Sequence, residues 1–455
     1  MDIKLAPICA NTIVVGAGLA GLAAAGALAK QGQKVILVES KEKIGGRATS
    51  FVDTKSGDLI DNCQHVSMKC CTNLQYFCEE AKISHYIKDE PNLFFRTLDG
   101  QTSLFKGTKL PAPLHLANSF LGAHFLSMGE KLKLGLGMLL LRLTKETEDA
   151  PFLNWLENHF QPKRCIDRFW TPVLVSALNT PMEKIGLHYA RKVFVDAFWK
   201  NSRAYELGLP TVPLGKLYGE EVLAWLKELG VEILFGKGVK SISENPEVGF
   251  KVELEQGKVM NATNLVLAVP FQRVKDLLPT SLFQNPAIEK LDRLQTSPIT
   301  SVHLWFDKPI TDLPHIVLLD SIGQWLFSRG KNQQGEFYYQ VVISSSGTLL
   351  QNGNEAALKI VLEELQSFCK DFSKARLIRG RVISEKQATF ESSYGVDEFR
   401  PEQITGIKGL YLAGDYTQTQ WPATMEGAVR SGYLAAEKIL KMSGKKVRCL
   451  QRDMN

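Results

Sequence analysis

The chain has 455 residues, 44% hydrophobic and 22% charged, with a net charge of +6. That length exceeds one ordinary core and points to two domains or three, in a composition typical of soluble globular proteins. The mild positive balance is far from a nucleic-acid binder, and the eight cysteines show no Cys-x-x-Cys pair and no zinc spacing, so they read as reduced thiols of a cytoplasmic protein without a metal site.

In chain order, Ile13-Val14-Val15 predicts a short strand. Gly16-Ala17-Gly18-Leu19-Ala20-Gly21 follows and matches G-x-G-x-x-G, then LAAAGALAKQG predicts a helix ending near Gly32. KVILV (34–38) is the next strand and ends at Glu39-Ser40. The first glycine makes the tight turn, the second admits a pyrophosphate, and the third lets helix and strand pack closely. The helix N-terminus faces the anion, and the acid takes the ribose hydroxyls. Residues 12–29 are apolar enough to imitate a signal peptide, but the fixed glycine spacing favours a strand–turn–helix. LGLGMLLL (134–141) is too short to span a bilayer.

IGGRATSF (44–51) places Gly45, Gly46 and Arg47 shortly after the ribose acid. This resembles the second motif of the flavin-dependent amine oxidase and carotenoid (phytoene) desaturase superfamily, in which the stretch approaches the diphosphate and flavin of FAD. The fold then expected is α/β, with a Rossmann-type FAD-binding domain of the glutathione-reductase kind and a discontinuous α+β substrate domain. FAD binding falls to 1–91, 209–270 and 401–442; a helical substrate part falls to 92–208 and a strand-rich one to 271–400. A basic tail, 443–455, either frays or touches an anionic surface.

Residues 220–242 read as an amphipathic helix followed by a strand, and 250–270 as a hairpin turning at Gln256-Gly257, then a buried strand. Similarity to flavoproteins places Val239 beside the adenine, the alternative being an ordinary strand valine. Residues 409–432, GLYLAGDYTQTQWPATMEGAVRSG, form a second strand-to-helix junction. The same resemblance gives Gly414 and Asp415 to the ribityl chain, and Met425, Glu426 and Gly427, capped by Thr424, to the flavin edge. No cysteine lies in 370–448, so the FAD is expected to be non-covalent.

The segments DNCQHVSMKCCTN (61–73), ALNTPMEKIGLHYARKVFVDAF (177–198), VPLGKLY (212–218), SPITSVHLWFDKPI (297–310), QWLFSR (324–329) and 414–432 resemble the squalene-associated flavin desaturases, better named the hydroxysqualene dehydroxylase family. The resemblance covers nearly the whole chain. It implies reduction of hydroxysqualene to squalene on a route to hopanoids or related C30 isoprenoids. Cys63 departs from the family's Asp-Asn-Gly-Gln-His, which strains the backbone if that position requires positive φ. His65 is the candidate proton donor, or else a histidine supporting the flavin; Asp61 beside it joins the catalytic group or acts only as a turn residue or hydrogen-bond anchor. Tyr416 and Trp421 either line the pocket and stabilise positive charge through their faces or pack the loop.

LHLANSFLGAHFLSM (114–128) and LKLGLGMLLLRL (132–143) carry long apolar faces edged by Lys131, Lys133 and Arg142. They form the pocket mouth, dip into a membrane interface, or are plain helical core. A cytoplasmic protein with peripheral contact on the inner face of the membrane is expected. The electron donor has no binding motif. The rivals are a carotenoid-type desaturase, an amine oxidase and a non-catalytic prenyl-binding escort protein.

Overall fold

The structure, a computed structural model, describes residues 8–54 and 56–454. Two sheets organise the chain. In the first, Glu232–Leu234, Val35–Val38, Ile8–Val15 and Val259–Leu267 run parallel in that order. Leu410–Leu412 pairs in parallel with the end of Val259–Leu267, and its start carries the antiparallel strands Gly249–Leu254 and Val239–Asn245. A parallel strand covered on both faces needs a continuous apolar run, and all four residues of Val35–Val38 are buried. The helices Leu19–Lys30 and Met425–Met442 cover this sheet together. They touch backbone to backbone: a Cβ on Gly432 would lie 2.2 Å from the Ala20 carbonyl oxygen. The alanine-rich first helix permits that approach.

The second sheet has the order Leu377–Phe390, Thr296–Phe306, Phe337–Ser344, Trp325–Lys331, His315–Leu318, Asn92–Arg96, Thr102–Lys106. Strand alternation gives it two apolar faces. Leu326 points into a core with Val361 and Leu365 of the helix Gly353–Phe368, whereas Trp325 and Phe327 point the other way into a cavity. The region expected to be helical, 92–208, therefore opens with a hairpin that extends this sheet. Its helices follow. Met128–Leu143, Phe152–Asn158, Thr171–Leu178 and Leu187–Phe198 pack around Phe152, Trp155, Trp170 and Phe194.

The tail is pinned rather than frayed. Glu437 Oε1 accepts the N–H of Cys449 at 2.6 Å and of Leu450 at 2.8 Å, Val447 and Leu450 pack on the core of the first sheet, and Asp453 pairs with Arg430. Its basic side chains Lys446, Arg448 and Arg452 remain exposed.

Candidate active site

A cavity of about 1200 Å³ runs from the carboxyl ends of the first sheet's strands into the space between the helices and the second sheet. At its first end, Gly16 takes φ +102°, and a Cβ there would lie 2.6 Å from the Ala268 carbonyl oxygen. A Cβ on Gly21 would lie 1.9 Å from the Gly16 oxygen, so this glycine brings helix and strand together and does not itself face the cavity. Gly18 precedes the first helix without a side-chain cap, and no acid sits in the first turn. Gly18, Leu19 and Ala20 line the cavity, so the unshared N–H groups of that turn face it.

Gly45 and Gly46 fold onto the same turn. Gly45 N donates to Ala17 O at 2.8 Å, both glycines have positive φ (+103° and +60°), and a Cβ on Gly46 would lie 2.9 Å from Gly18 Cα. Glu39 ends the second strand. Its Oε2 accepts Ala17 N at 2.8 Å and its Oε1 accepts Lys41 N at 2.9 Å, which aims the carboxylate at the cavity with Ser40 beside it. Ala17 thus serves through its backbone. Val239 lines the cavity near Lys237 and Glu255. An uncapped helix end, two interlocked glycine turns and a fixed acid fit the diphosphate and ribose of FAD.

The second junction closes over the same space. Gly414 N donates to Ser431 Oγ at 2.8 Å, and a Cβ on Gly414 would lie 2.3 Å from the Tyr416 ring. Asp415 pairs with Arg47 at 2.9 Å, and this carboxylate holds the guanidinium above its ordinary pKa. Arg47 also donates to the Ala388 carbonyl. Thr424 caps the helix that starts at Met425, its Oγ1 accepting Gly427 N at 3.1 Å; Thr424 and Met425 line the cavity.

Four expected site residues lie elsewhere. Glu426 turns away and caps the helix Thr72–Glu80, because side chains successive on a helix point in different directions. Gly427 packs against Pro422, where a Cβ would lie 2.6 Å from its carbonyl oxygen. Asp61 is a buried anchor, accepting from Ser50 Oγ (2.6 Å), Leu214 N (2.9 Å) and Arg329 Nη2 (2.9 Å), with nothing facing the cavity. Trp421 packs behind the loop, with Lys192 Nζ 4.5 Å from its ring centre and Arg430 on it as well. It does not line the cavity.

His65 and Tyr416 do line it. His65 Nδ1 lies 2.9 Å from the Cys63 carbonyl oxygen, to which only an N–H can bond, so Nε2 is left as an acceptor. Burial lowers the imidazole pKa. The proton-donor reading of His65 therefore gives way to a neutral acceptor. Tyr416 is buried, its hydroxyl has no protein partner, and burial raises its pKa. Its ring packs against Gly414 and Phe271, and the hydroxyl oxygen itself is buried. Cys63 lines the cavity without positive φ, so no left-handed strain attends it, and burial pushes its thiol up to about 12.

Arg400 is a residue the sequence reading missed. It is buried and donates to the carbonyls of Asp415 (3.1 Å) and Thr417 and to Tyr189 Oη (2.6 Å), which fixes the loop carrying Tyr416.

Beyond Tyr416 and His65 the walls become apolar. Among the described residues, no side chain from 93–207 or 299–344 that lines the cavity is charged. Phe95, Phe105, Phe120, Phe169, Trp325 and Phe327 dominate, and Trp325 Nε1 is satisfied by Ser176 Oγ at 2.9 Å.

Residues 19–440 match the profile of the flavin containing amine oxidoreductases. Among curated proteins the chain is similar to a 15-cis-phytoene desaturase of Synechococcus elongatus, 27% identical over 94% of this chain and 95% of that one. It is also similar to the hydroxysqualene dehydroxylase of Zymomonas mobilis, 28% identical over 95% and 99%. Among solved structures it shares its fold with an oxidoreductase from Methanosarcina mazei (TM-score 0.72, 15% identity, 94% and 99% covered). Cyclohexylamine oxidase from Brevibacterium oxydans shares it too (TM-score 0.69, 17% identity, 96% and 100% covered). With the glycine cradle, the ribose acid and the second junction around one cavity, the chain belongs to the flavin-containing amine oxidoreductase family, as an FAD-dependent oxidoreductase.

Proposed function

We propose that the chain reduces hydroxysqualene to squalene with FAD held non-covalently. The observation that carries this reading is the uncharged arm joined directly to the dinucleotide cradle. A C30 isoprenoid offers almost no polar handle and binds by apolar burial, at roughly 25 cal/mol per Å². The carboxylate of Glu385 lines the cavity beside Ile299, and the apolar arm beyond it offers an alkylammonium no further partner. An intact cradle counts against a non-catalytic escort protein.

When bound, FAD supplies two-electron hydride chemistry. The carbon–oxygen bond of the alcohol breaks, a carbon–hydrogen bond replaces it, and the hydroxyl leaves as water after gaining a proton. In this reading Tyr416, whose buried hydroxyl has no protein partner, turns that hydroxyl to the substrate and donates a hydrogen bond to the leaving group. The His65 Nε2 acceptor orients the same group. Phe95, Phe105 and Phe169 keep out water that would recapture a cationic carbon.

The test is an anaerobic incubation of the reduced holoenzyme with hydroxysqualene, products identified by mass. Squalene supports the reading. Conjugated polyenes formed from phytoene by the oxidised enzyme, without squalene from the alcohol, would transfer the chain to the desaturase reading that the phytoene desaturase relatives suggest.

A further inference from the structure

We infer that the face built by residues 106–145 docks on a bilayer surface rich in anionic lipid, with the cavity mouth opening into it. The helix Met128–Leu143 presents an unpartnered stripe. Leu132 is 71% exposed, Leu136 55%, Leu139 43% and Leu143 69%, at the i, i+4, i+7, i+11 spacing of one helical face. Leu114, Leu121 and Met128 are exposed by about half or more. The stripe is not a fraying accident, because a capping box between Ser127 and Glu130 fixes the helix start.

The charge around this face names its occupant. Between 101 and 145 the chain carries six lysines and arginines and a single acid, Glu130. That acid is engaged by Ser127 N at 2.7 Å and Ser127 Oγ at 2.8 Å. Lys106, Lys109, Lys133, Arg142 and Lys145 are exposed. Leucines rimmed by cations suit acyl chains below anionic headgroups, with the long basic side chains reaching up to the phosphates. A second copy of this chain would meet like charge with like. Among the described residues no helix is long and apolar enough to cross a membrane, so contact is at the surface.

The mouth lies on the same face. Pro113 and Gly135 are exposed and also line the cavity, and a Cβ on Gly135 would meet nothing within 4 Å. What passes through the mouth rests on the isoprenoid reading above; docking itself rests on the surface alone.

Co-sedimentation of the holoenzyme with phosphatidylcholine vesicles, with and without phosphatidylglycerol, tests this. The wild type is expected to pellet with the anionic vesicles and to be released by salt. The Leu132→Asp/Leu136→Asp variant and the Lys133→Glu/Arg142→Glu variant are expected to partition about tenfold less or weaker, with unchanged flavin absorbance. These four side chains point to solvent, so folding is kept. Wild type left in the supernatant overturns the inference. So do variants that pellet like wild type, or a wild-type dimer that the leucine variant dissociates. Vesicle binding without squalene formation would sink the reaction reading and leave docking intact.

Discussion

Glu426 reaches across 353 residues of sequence to Asn73. Its Oε1 accepts the backbone N–H of Asn73 at 3.1 Å and its side-chain amide at 2.9 Å, and Oε2 accepts Leu74 N at 2.7 Å. The helix Thr72–Glu80 has no side-chain cap of its own, so a carboxylate from the second junction supplies one. Arg430 completes the group, 3.4 Å from Glu426 and 2.6 Å from Asp453.

Glu426→Ala is expected to destabilise the fold by about 3 kcal/mol, because the N–H groups of Asn73 and Leu74 and the Asn73 amide lose their acceptor and the buried Arg430 guanidinium loses one of its two carboxylates. Glu426→Gln keeps an acceptor oxygen and should cost about half as much. Denaturant titration of both variants checks this. Equal stability of Ala and wild type would remove the cap.

Gly46→Ala places a Cβ 2.9 Å from Gly18 Cα at φ +60°, so either backbone must move or the turn must open. FAD affinity should fall at least about tenfold, read by reconstitution of the apoprotein. The wild-type flavin should be released into the supernatant when the protein is denatured. A flavin that stays with the denatured chain would contradict non-covalent binding.

How much of this was legible follows from what each residue does. Gly16, Gly18, Gly21 and Glu39 could be read in sequence because backbone geometry ties residue type to spacing. Thr424 could be read as a cap for the same reason. Glu426 could not, and for Asp61 and Trp421 the sequence left the anchor and loop-packing roles open beside the catalytic ones. Their partners, Asn73, Arg329 and Lys192, come from distant segments, and a motif says that a residue is near a site without saying where its side chain points. The pinning of the tail could not be read, because its basic residues are visible in sequence while the contact with the carboxylate of Glu437 is not. Arg400 escaped because its ligands are mostly backbone carbonyls, which leave no trace in composition.

Tyr416→Phe removes only the unpartnered hydroxyl. Turnover should fall roughly 10²-fold or more with flavin binding unchanged. His65→Ala, which removes an acceptor rather than an acid, should lower kcat less. Stopped-flow reoxidation of the reduced enzyme by hydroxysqualene separates the two. A Phe variant with full turnover would discard the donor role.

His315 is buried against Phe94, Trp325 and Phe327, and neither ring nitrogen finds a partner. Burial lowers its pKa from the ordinary 6.5 to about 4. Below pH 6.5 the unfolded chain takes up a proton that the folded chain refuses, so stability falls as pH falls from 6.5 to about 4, by at most about 1.4 kcal/mol per pH unit. His303, lowered to about 3, adds the same sign. His315→Phe should flatten the decline of Tm between pH 6.5 and 4.5. A parallel decline in variant and wild type would show that His315 contributes nothing to it.

In the proposed reaction one uncharged arm brings a C30 alcohol to the flavin held by the glycine cradle. The most direct measurement is the mass of the product when the reduced holoenzyme meets hydroxysqualene in deuterated water without oxygen. The expected product is squalene carrying one deuterium, on the carbon that bore the hydroxyl. Recovery of unchanged alcohol from a fully reduced, flavin-loaded enzyme would contradict it.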